Sequence, residues 1–376
     1  MKKIVILSGS TGGGHVKAAR SLELWAKKAY NDEVEIINID VIKHMSSVFK
    51  KMYADSYINI IKYYPALYGH LYEITDLAKN KKAILKEMRY YFEELFSKRF
   101  KKEIKQINPD CIIFTHFLPA EHMNKSAAVK KYADKYAVVV TDFDVHSLWV
   151  QDKMDIFFVA TDETAARLAD RGIDRDKIHV TGIPIEPHFS YEYSKRQSKI
   201  DLGLNPELDT VLFMAGAYGV GHIDTMIDDL FKGIDKKFQI IALTGSNKEL
   251  FQSLVKLNEK YPYTLRVVDF TNEVNKYMAA SDFAVTKTGG LTTSECLAMG
   301  VPIITMNPIP GQEEKNTDYL LENGVGLKTS DMAGLIYRVN SLLNNKDLLL
   351  RMQKNARDIA HPKAGFDILH KLLEDM

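Results

Sequence analysis

The sequence predicts an α/β protein built from two Rossmann-like halves, and three observations carry that expectation. Residues 3–8 (KIVILS) form a continuous apolar strand that runs into a glycine-rich turn, GSTGGGH at 9–15, and then into helical spacing over 16–30. Residues 210–216 (TVLFMAG) repeat the plan, with AYGVGHI as a second glycine turn before a helix. At 376 residues the chain is also too long for one ordinary core, so two domains are the default. Unbroken apolar strands of this kind belong to parallel sheets covered on both faces.

Composition narrows the class. Hydrophobic residues at 46% and charged residues at 26% describe a soluble globular protein. A net charge of +1 gives no global attraction to nucleic acid. No apolar run approaches the ~20 residues that cross a bilayer, and the opening MKKIVILSGS reads as a strand, not a signal peptide. Cys111 and Cys296 stand far apart without metal or disulfide spacing, which fits a reducing cytosol. The expectation is a cytoplasmic protein.

The first glycine turn is neither of two familiar phosphate loops. Gly9 and Gly14 have P-loop spacing, but His15 and Val16 stand where that motif needs Lys and Ser/Thr. The G-x-G-x-x-G pattern is absent as well, which disfavours a nicotinamide enzyme. What remains is a turn that another molecule can approach closely, presenting His15 at a strand's carboxyl end. A lone His is more often structural, but three glycines at the crevice edge favour a functional one.

Residues 34–39 form the second strand and end at Asp40. The character changes over 43–105, where Tyr53, Tyr57, Tyr90 and Phe96 interleave with Lys50, Lys62, Lys86 and Arg89. Aromatic and basic helices suit a membrane interface. A helical insertion with a solvated basic face explains them equally well, and no recognition motif supports RNA binding. The next strands are PDCIIFT at 109–115, ending at His116, and YAVVVT at 136–141, followed by Asp142-Phe143-Asp144-Val145-His146 and Trp149. Residues 156–160 continue the sheet, with Thr161-Asp162-Glu163 capping a helix. Strand ends of an open parallel sheet share one crevice, so His15, His116, Asp142 and His146 are expected to converge. Asp142-Phe143-Asp144 matches the three-residue D-x-D metal pattern, but no further carboxylate cluster accompanies it. It is read as polar lining, with no metal site.

The polar, proline-bounded stretch 185–206 differs from both flanks and reads as the connection between domains. In the second half, strands are expected over 239–244 and 265–269, the latter with Phe270 at its carboxyl end. The most informative stretch is 281–316, SDFAVTKTGGLTTSECLAMGVPIITMNPIPGQEEKN. It reads as strand, glycine pair Gly289-Gly290, helix opening at Thr292, a stop at Gly300-Val301-Pro302, a second strand, and a polar loop over 308–316. Small residues at a helix start leave its N–H groups open to an anion, and the dipole favours negative charge there. Glu295 lies one turn in, where a carboxylate can accept from a ribose diol. Amides for a diphosphate, an acid for a ribose and polar groups for a sugar make a nucleotide-sugar site. A capped helix in an ordinary α/β domain explains the glycine pair alone, but not the ordered set that ends in GQEEKN.

Together these residues resemble the monogalactosyldiacylglycerol synthase and processive diacylglycerol β-glucosyltransferase family, a relative of the peptidoglycan N-acetylglucosaminyltransferase. The motifs GSTGGGH, TDFDVHSLW at 141–149, KTGGLTTSE at 287–295 and PGQEEKN at 310–316 carry the likeness over nearly the whole chain. The resemblance implies the GT-B fold: two facing Rossmann-like domains with a cleft between them. The expected division is an acceptor and membrane-docking domain at 1–185, a linker at 186–206 and a UDP-sugar domain at 207–355. A final helix over 356–376 is expected to return to the first domain.

The resemblance further implies an inverting hexosyltransferase without metal or cofactor, the UDP-sugar being a substrate. It would move a hexose, glucose ahead of galactose, to the free hydroxyl of 1,2-diacylglycerol, in processive fashion. The protein would sit peripherally on the inner face of the cell membrane, with anionic lipid as docking surface and activator and no nucleic-acid partner. By the same likeness, the Phe270 backbone contacts uracil and Glu295 the ribose. Thr288, Gly289, Gly290 and Thr292, with Gly219 and Gly221, hold the diphosphate, and Gln312, Glu313 and Asn316 contact the sugar. His15 is the first candidate for general base and Asp142 the second, as base or as its orienting partner. Gly13, Gly14, His116, His146 and Trp149 fall on the acceptor side. Alternatives are a transferase with a polyprenyl or soluble acceptor, a UDP-sugar 2-epimerase of the same two-domain plan, and a non-catalytic sugar-nucleotide sensor.

Overall fold

Six parallel strands make each of two separate sheets among the described residues. The structure is a computed structural model and describes residues 1–10, 13–44, 69–70, 76, 98–125, 132–215 and 223–376. Most of the aromatic and basic stretch, together with Gly219 and Gly221, lies outside these residues.

The first sheet contains β1 (Lys2–Ser8), β2 (Val34–Asp40), β3 (Cys111–Phe114), β4 (Lys135–Val139), β5 (Ile156–Val159) and β6 (Ile178–Val180). Their order is β2-β1-β3-β4-β5-β6. Side chains alternate across a strand, and here both faces are buried. Val5 and Leu7 join one core with Phe114, Val138 and Phe157. Ile4 and Ile6 join another with Ile113, Val139 and Phe158, under Leu22, Ile368 and Leu372. This double burial is why KIVILS is unbroken by polar residues. The helix Gly13–Ala29 packs against the last helix, Ala364–Glu374, in the same unit. Gly365 makes their close approach achievable, since a Cβ there would lie 2.3 Å from Trp25 Cδ1.

The second sheet contains β7 (Asp209–Met214), β8 (Phe238–Leu243), β9 (Leu265–Val268), β10 (Phe283–Thr286), β11 (Ile303–Met306) and β12 (Gly326–Thr329). Its order is β12-β11-β10-β7-β8-β9. The strand order reverses between β1 and β3 in one sheet and between β7 and β10 in the other. Such switch points are where open α/β sheets bind ligands.

The chain divides into two compact units. One comprises Met1–Pro187, Ile309–Gln312 and His361–Met376; the other His188–Pro308 and Glu313–Ala360. Residues 188–206, expected in a linker, group with the second unit. There the helix Lys195–Asp201 is anchored by a buried carboxylate: Lys195 Nζ lies 2.7 Å and Lys199 Nζ 3.1 Å from Asp282, which also accepts from the Thr210 amide at 2.8 Å. Burial alone would raise the Asp282 pKa, but the two ammonium groups outweigh it and hold the carboxyl below its usual value. Among the described residues no helix is long and apolar enough to cross a membrane.

Candidate active site

In the first unit, the carboxyl ends of β1, β3 and β4 bring three distant segments together. Asp40, at the end of β2, accepts from the Ser10 and Ile42 amides at 3.2 and 3.1 Å and so ties the glycine turn to its neighbouring strand. Gly9 lets the turn lie against His116, whose Cδ2 would be 3.0 Å from an added Cβ. Gly13 and Gly14 open the helix that follows, and an added Cβ at Gly13 would meet open space.

His15 is the third residue of that helix and is half-buried. Its Nδ1 lies 2.7 Å from the Thr115 carbonyl oxygen and 3.0 Å from Thr141 Oγ1. Thr115 Oγ1 in turn donates to the His15 carbonyl at 3.0 Å. A carbonyl oxygen only accepts, so Nδ1 carries the ring proton and Nε2 keeps its lone pair. Burial pushes the His15 pKa from 6.5 to about 4, against the opposing effect of the Thr115 bond, so the ring is neutral at pH 7. The His116 ring lies 4.5 Å away at 67°, and the Trp149 ring at 6.2 Å. His116 Nδ1 accepts from the Leu118 amide at 3.1 Å, and burial, then His15, hold its pKa well below 6.5.

The TDFDVHSLW segment is a tied loop. Asp142 is 8% exposed and accepts from Gln312 Nε2, a residue grouped with the same unit. Asp144 faces Arg167 Nε at 3.5 Å. The two carboxylates of the D-x-D pattern thus engage different partners. His146 Nδ1 caps the short turn Ser147–Trp149 by accepting from the Leu148 amide at 3.2 Å. The Ser147 amide donates to Asp76 at 2.7 Å, and Arg171 grips that same carboxylate at 2.6 and 3.0 Å. Nearby, a groove of about 620 Å³ opens along the helix Gly13–Ala29 and β2, with Val16, Leu24, Ile37, Arg20, Lys27 and Lys43 among its walls.

In the second unit, the helix Gly290–Ala298 follows β10 through Lys287-Thr288-Gly289. Sequence reading places its start near Thr292; it begins two residues earlier. Gly289 is the N-cap in extended conformation with no side-chain cap, and an added Cβ there would meet open space. The first N–H groups of the helix therefore have no partner within it. Thr292 is half-buried on its first turn, and Glu295 is 5% exposed on its second. Phe270 stands 67% exposed just past β9.

Residues 308–316, read as a loop, need correction. The helix Gln312–Glu322 takes in Gln312, Glu313 and Asn316. Gly311 turns the chain with φ +89°, and Glu313 and Glu314 favour the first turn through the helix dipole. Asn316, expected at the sugar, has no exposure, and its amide nitrogen donates to the Thr288 carbonyl at 2.8 Å. Thr288 Oγ1 donates to the Glu313 carbonyl at 2.8 Å. A cavity of about 100 Å³ lies at the β7–β10 switch point, walled in part by Phe213, Thr286, Lys287 and Asn307.

Sequence reasoning missed Thr115, Thr141 and Lys287. Thr115 and Lys287 directly follow β3 and β10, and Thr141 lies two residues past β4, so nearness to a strand's carboxyl end is the signal that could have found them.

The description "Monogalactosyldiacylglycerol (MGDG) synthase" matches residues 15–185, and "Glycosyl transferases group 1" matches 195–359. A processive diacylglycerol beta-glucosyltransferase of Staphylococcus aureus is 32% identical over 361 residues, covering 93% of this chain and 87% of that protein. The chain belongs to this family. As a member of the MGDG synthase and processive diacylglycerol beta-glucosyltransferase family, it is a glycosyltransferase of the hexosyltransferase class. The Bacillus pumilus member is 28% identical over 378 residues, covering 99% of this chain and 95% of its own. Among solved structures, MurG of Acinetobacter baumannii aligns with a TM-score of 0.60 at 15% identity over 100% of both chains. UDP-GlcNAc 2-epimerase of Neisseria meningitidis, bound to UDP-GlcNAc, aligns at 0.61, with 15% identity over 100% of both chains. These likenesses establish the GT-B-like fold of this family member and bear on nothing further.

Proposed function

We propose that this chain transfers a hexose, glucose ahead of galactose, from a UDP-sugar to the free hydroxyl of diacylglycerol, with inversion at the anomeric carbon. The relatives' names supply the acceptor and the sugar. The observation that carries the chemistry is His15: Nδ1 is held by the Thr115 carbonyl, and Nε2 has no hydrogen-bond partner among the described residues. In one displacement the acceptor oxygen bonds to the anomeric carbon as the bond to UDP breaks. The bonding pair leaves on the β-phosphate oxygen and the hydroxyl proton passes to His15 Nε2. Such a base contributes ~10²–10⁴-fold. Asp142 lines the same end of the sheet and orients the acceptor.

On the donor side, Glu295 takes the ribose and the Phe270 backbone the uracil. Thr288, Gly289, Gly290 and Thr292, with Gly219 and Gly221, take the diphosphate. The uncapped amides and dipole at Gly290 meet the leaving-group charge, which is electrostatic work of the kind an oxyanion hole performs. Gln312 and Glu313 contact the sugar, and Asn316 reaches it through the Thr288 turn that it braces.

The acceptor enters from the aromatic and basic region, which docks on anionic membrane. The helix Lys98–Ile107 supports this reading: Phe100 and Ile104 are 1% exposed, while Lys102 and Lys105 face solvent. The groove beside the helix Gly13–Ala29 sets apolar walls (Val16, Leu24, Ile37) beside charges of both signs, Arg20, Lys27 and Lys43 with Glu23, Asp40 and Glu103.

The test supplies UDP-glucose and UDP-galactose separately to vesicles of diacylglycerol and anionic lipid, reading UDP release and glycolipid mass. One to several hexoses on diacylglycerol, in the β configuration by NMR, is the expected product. UDP release without glycolipid would replace the acceptor, epimerised sugar would make it an epimerase, and UDP binding without turnover would make it a sensor.

A further inference from the structure

We infer that Thr141 is the positioning residue of His15: its hydroxyl oxygen and the Thr115 carbonyl together hold the ring in the tautomer that leaves Nε2 free. The inference rests on His15 acting as the base of the proposed transfer.

The arrangement differs from the usual way of orienting a catalytic imidazole. A base of this kind generally leans on a third group, and in the Ser-His-Asp triad that group is a buried carboxylate. Among the described residues, no carboxylate hydrogen-bonds His15. Its Nδ1 instead meets two neutral oxygens at 2.7 and 3.0 Å. With the Nδ1 proton shared toward the carbonyl, Thr141 Oγ1 can serve that nitrogen only as a second acceptor. Both threonines are rigidly placed. Thr115 is 0% exposed directly after β3, and Thr141 is 3% exposed two residues past β4. A β-branched side chain at such a site has little freedom at χ1. Thr115 closes the pair by donating its own hydroxyl to the His15 carbonyl. The clamp thus joins the first helix to two strand ends separated from His15 by 100 and 126 residues.

Two neutral acceptors fix the ring without the basicity that a carboxylate would confer. The other titratable ring in contact, His116, is committed to the Leu118 amide through Nδ1 and adds no negative charge. Asp142 follows Thr141 in the chain, and its carboxylate accepts from Gln312. Orientation at His15 therefore comes from hydrogen-bond geometry, and Thr141 supplies the part of it that a side-chain substitution can remove.

The variant is Thr141→Val, which keeps the shape and removes the acceptor; Thr141→Ser, which keeps the acceptor, is the rescue. The whole chain is labelled with ¹⁵N-histidine, and the His15 signals are assigned by their loss in His15→Gln. Wild type is expected to show a protonated Nδ1 and an unprotonated Nε2 at neutral pH. In Thr141→Val the Nε2-protonated tautomer grows in. With the loss of one hydrogen bond, kcat falls roughly tenfold while KM for UDP-glucose stays within about twofold. The acidic limb of kcat/KM moves to lower pH, because the imidazolium has lost an acceptor, and Thr141→Ser restores all three readouts. An Nε2-protonated His15 in wild type overturns the inference outright. So does a Thr141→Val protein whose tautomer and pH limb are unchanged, even if kcat falls. Because the tautomer is read without substrate, the two readings fail separately. A clamp that responds to Thr141 in a protein without hexose transfer would sink only the transferase reading, and transfer with an unresponsive clamp only the role of Thr141.

Discussion

The Asn316 side-chain amide donates to the Thr288 main-chain carbonyl at 2.8 Å, from a position with no solvent exposure. Thr288 returns the contact through its hydroxyl, which donates to the Glu313 carbonyl at 2.8 Å. The helix Gln312–Glu322 therefore braces the glycine turn that precedes the helix Gly290–Ala298. In the proposed transfer this turn takes the diphosphate, and a turn held this way would leave little ordering to oppose that binding.

Asn316→Ala removes the donor and strands a buried carbonyl, which costs about 1–3 kcal/mol. The second unit should melt at lower temperature, and the stabilisation added by saturating UDP should shrink with it. Differential scanning calorimetry with and without UDP checks both. An unchanged UDP-induced shift would mean that the brace serves folding alone.

Gly365 is the close-packing point of the first and last helices. A Cβ there would come within 2.3 Å of Trp25, whose indole N–H donates to the Ile185 carbonyl at 2.9 Å. Gly365→Ala should cost about 1–3 kcal/mol as the ring is displaced. The expected readout is a lower denaturation midpoint together with red-shifted tryptophan emission in the native baseline. A native-like midpoint and spectrum would show that the helices can separate at no cost.

The strands were legible because burial on both faces writes itself into composition. In β1, Val5 and Leu7 serve one core and Ile4 and Ile6 the other, leaving no polar position to interrupt the run. The helix Gln312–Glu322 was hidden because its first turn is Gln312, Glu313 and Glu314; the buried Leu320 comes two turns later, too late to establish a period. The segment 188–206 looked like a linker because it is polar, proline-bounded and unlike its flanks, a composition that does not mark Lys195 and Lys199 as anchored. Their place in the second unit depends on Asp282, more than eighty residues away. The convergence on His15 was visible only as a set of strand ends. Which oxygens meet Nδ1 depends on the registers of β1 with β3 and β3 with β4, and a single chain does not display register.

Burial of a neutral His15 makes the first unit sensitive to acid. Its pKa is about 4 when folded, against 6.5 unperturbed. As pH falls from 6.5 toward 4, the unfolded chain binds a proton that the folded chain does not, so stability is lost across that window. The full loss from this one ring is on the order of 3 kcal/mol, and His116 shifts in the same direction. Melting temperatures measured from pH 7.5 to 4.5 should fall steeply for wild type and less steeply for His15→Gln. Identical slopes would place the acid sensitivity elsewhere.

Glu295 is the group that should make the donor site select ribose. It lies 5% exposed on the second turn of the helix whose first amides are uncapped. A carboxylate accepting from a ribose hydroxyl forms a charge-assisted hydrogen bond worth about 1.5–3 kcal/mol, or roughly ten- to a hundredfold in affinity. Wild type should therefore bind UDP tighter than 2′-deoxy-UDP by that factor in isothermal titration. Glu295→Ala should lose the preference by weakening UDP, with its affinity for 2′-deoxy-UDP within about twofold of wild type. Glu295→Gln, which keeps the side-chain volume, should retain part of the preference through its remaining acceptor. A preference that survives in Glu295→Ala would move ribose recognition to another residue, and equal weakening of both nucleotides would mark Glu295 as a support of the helix.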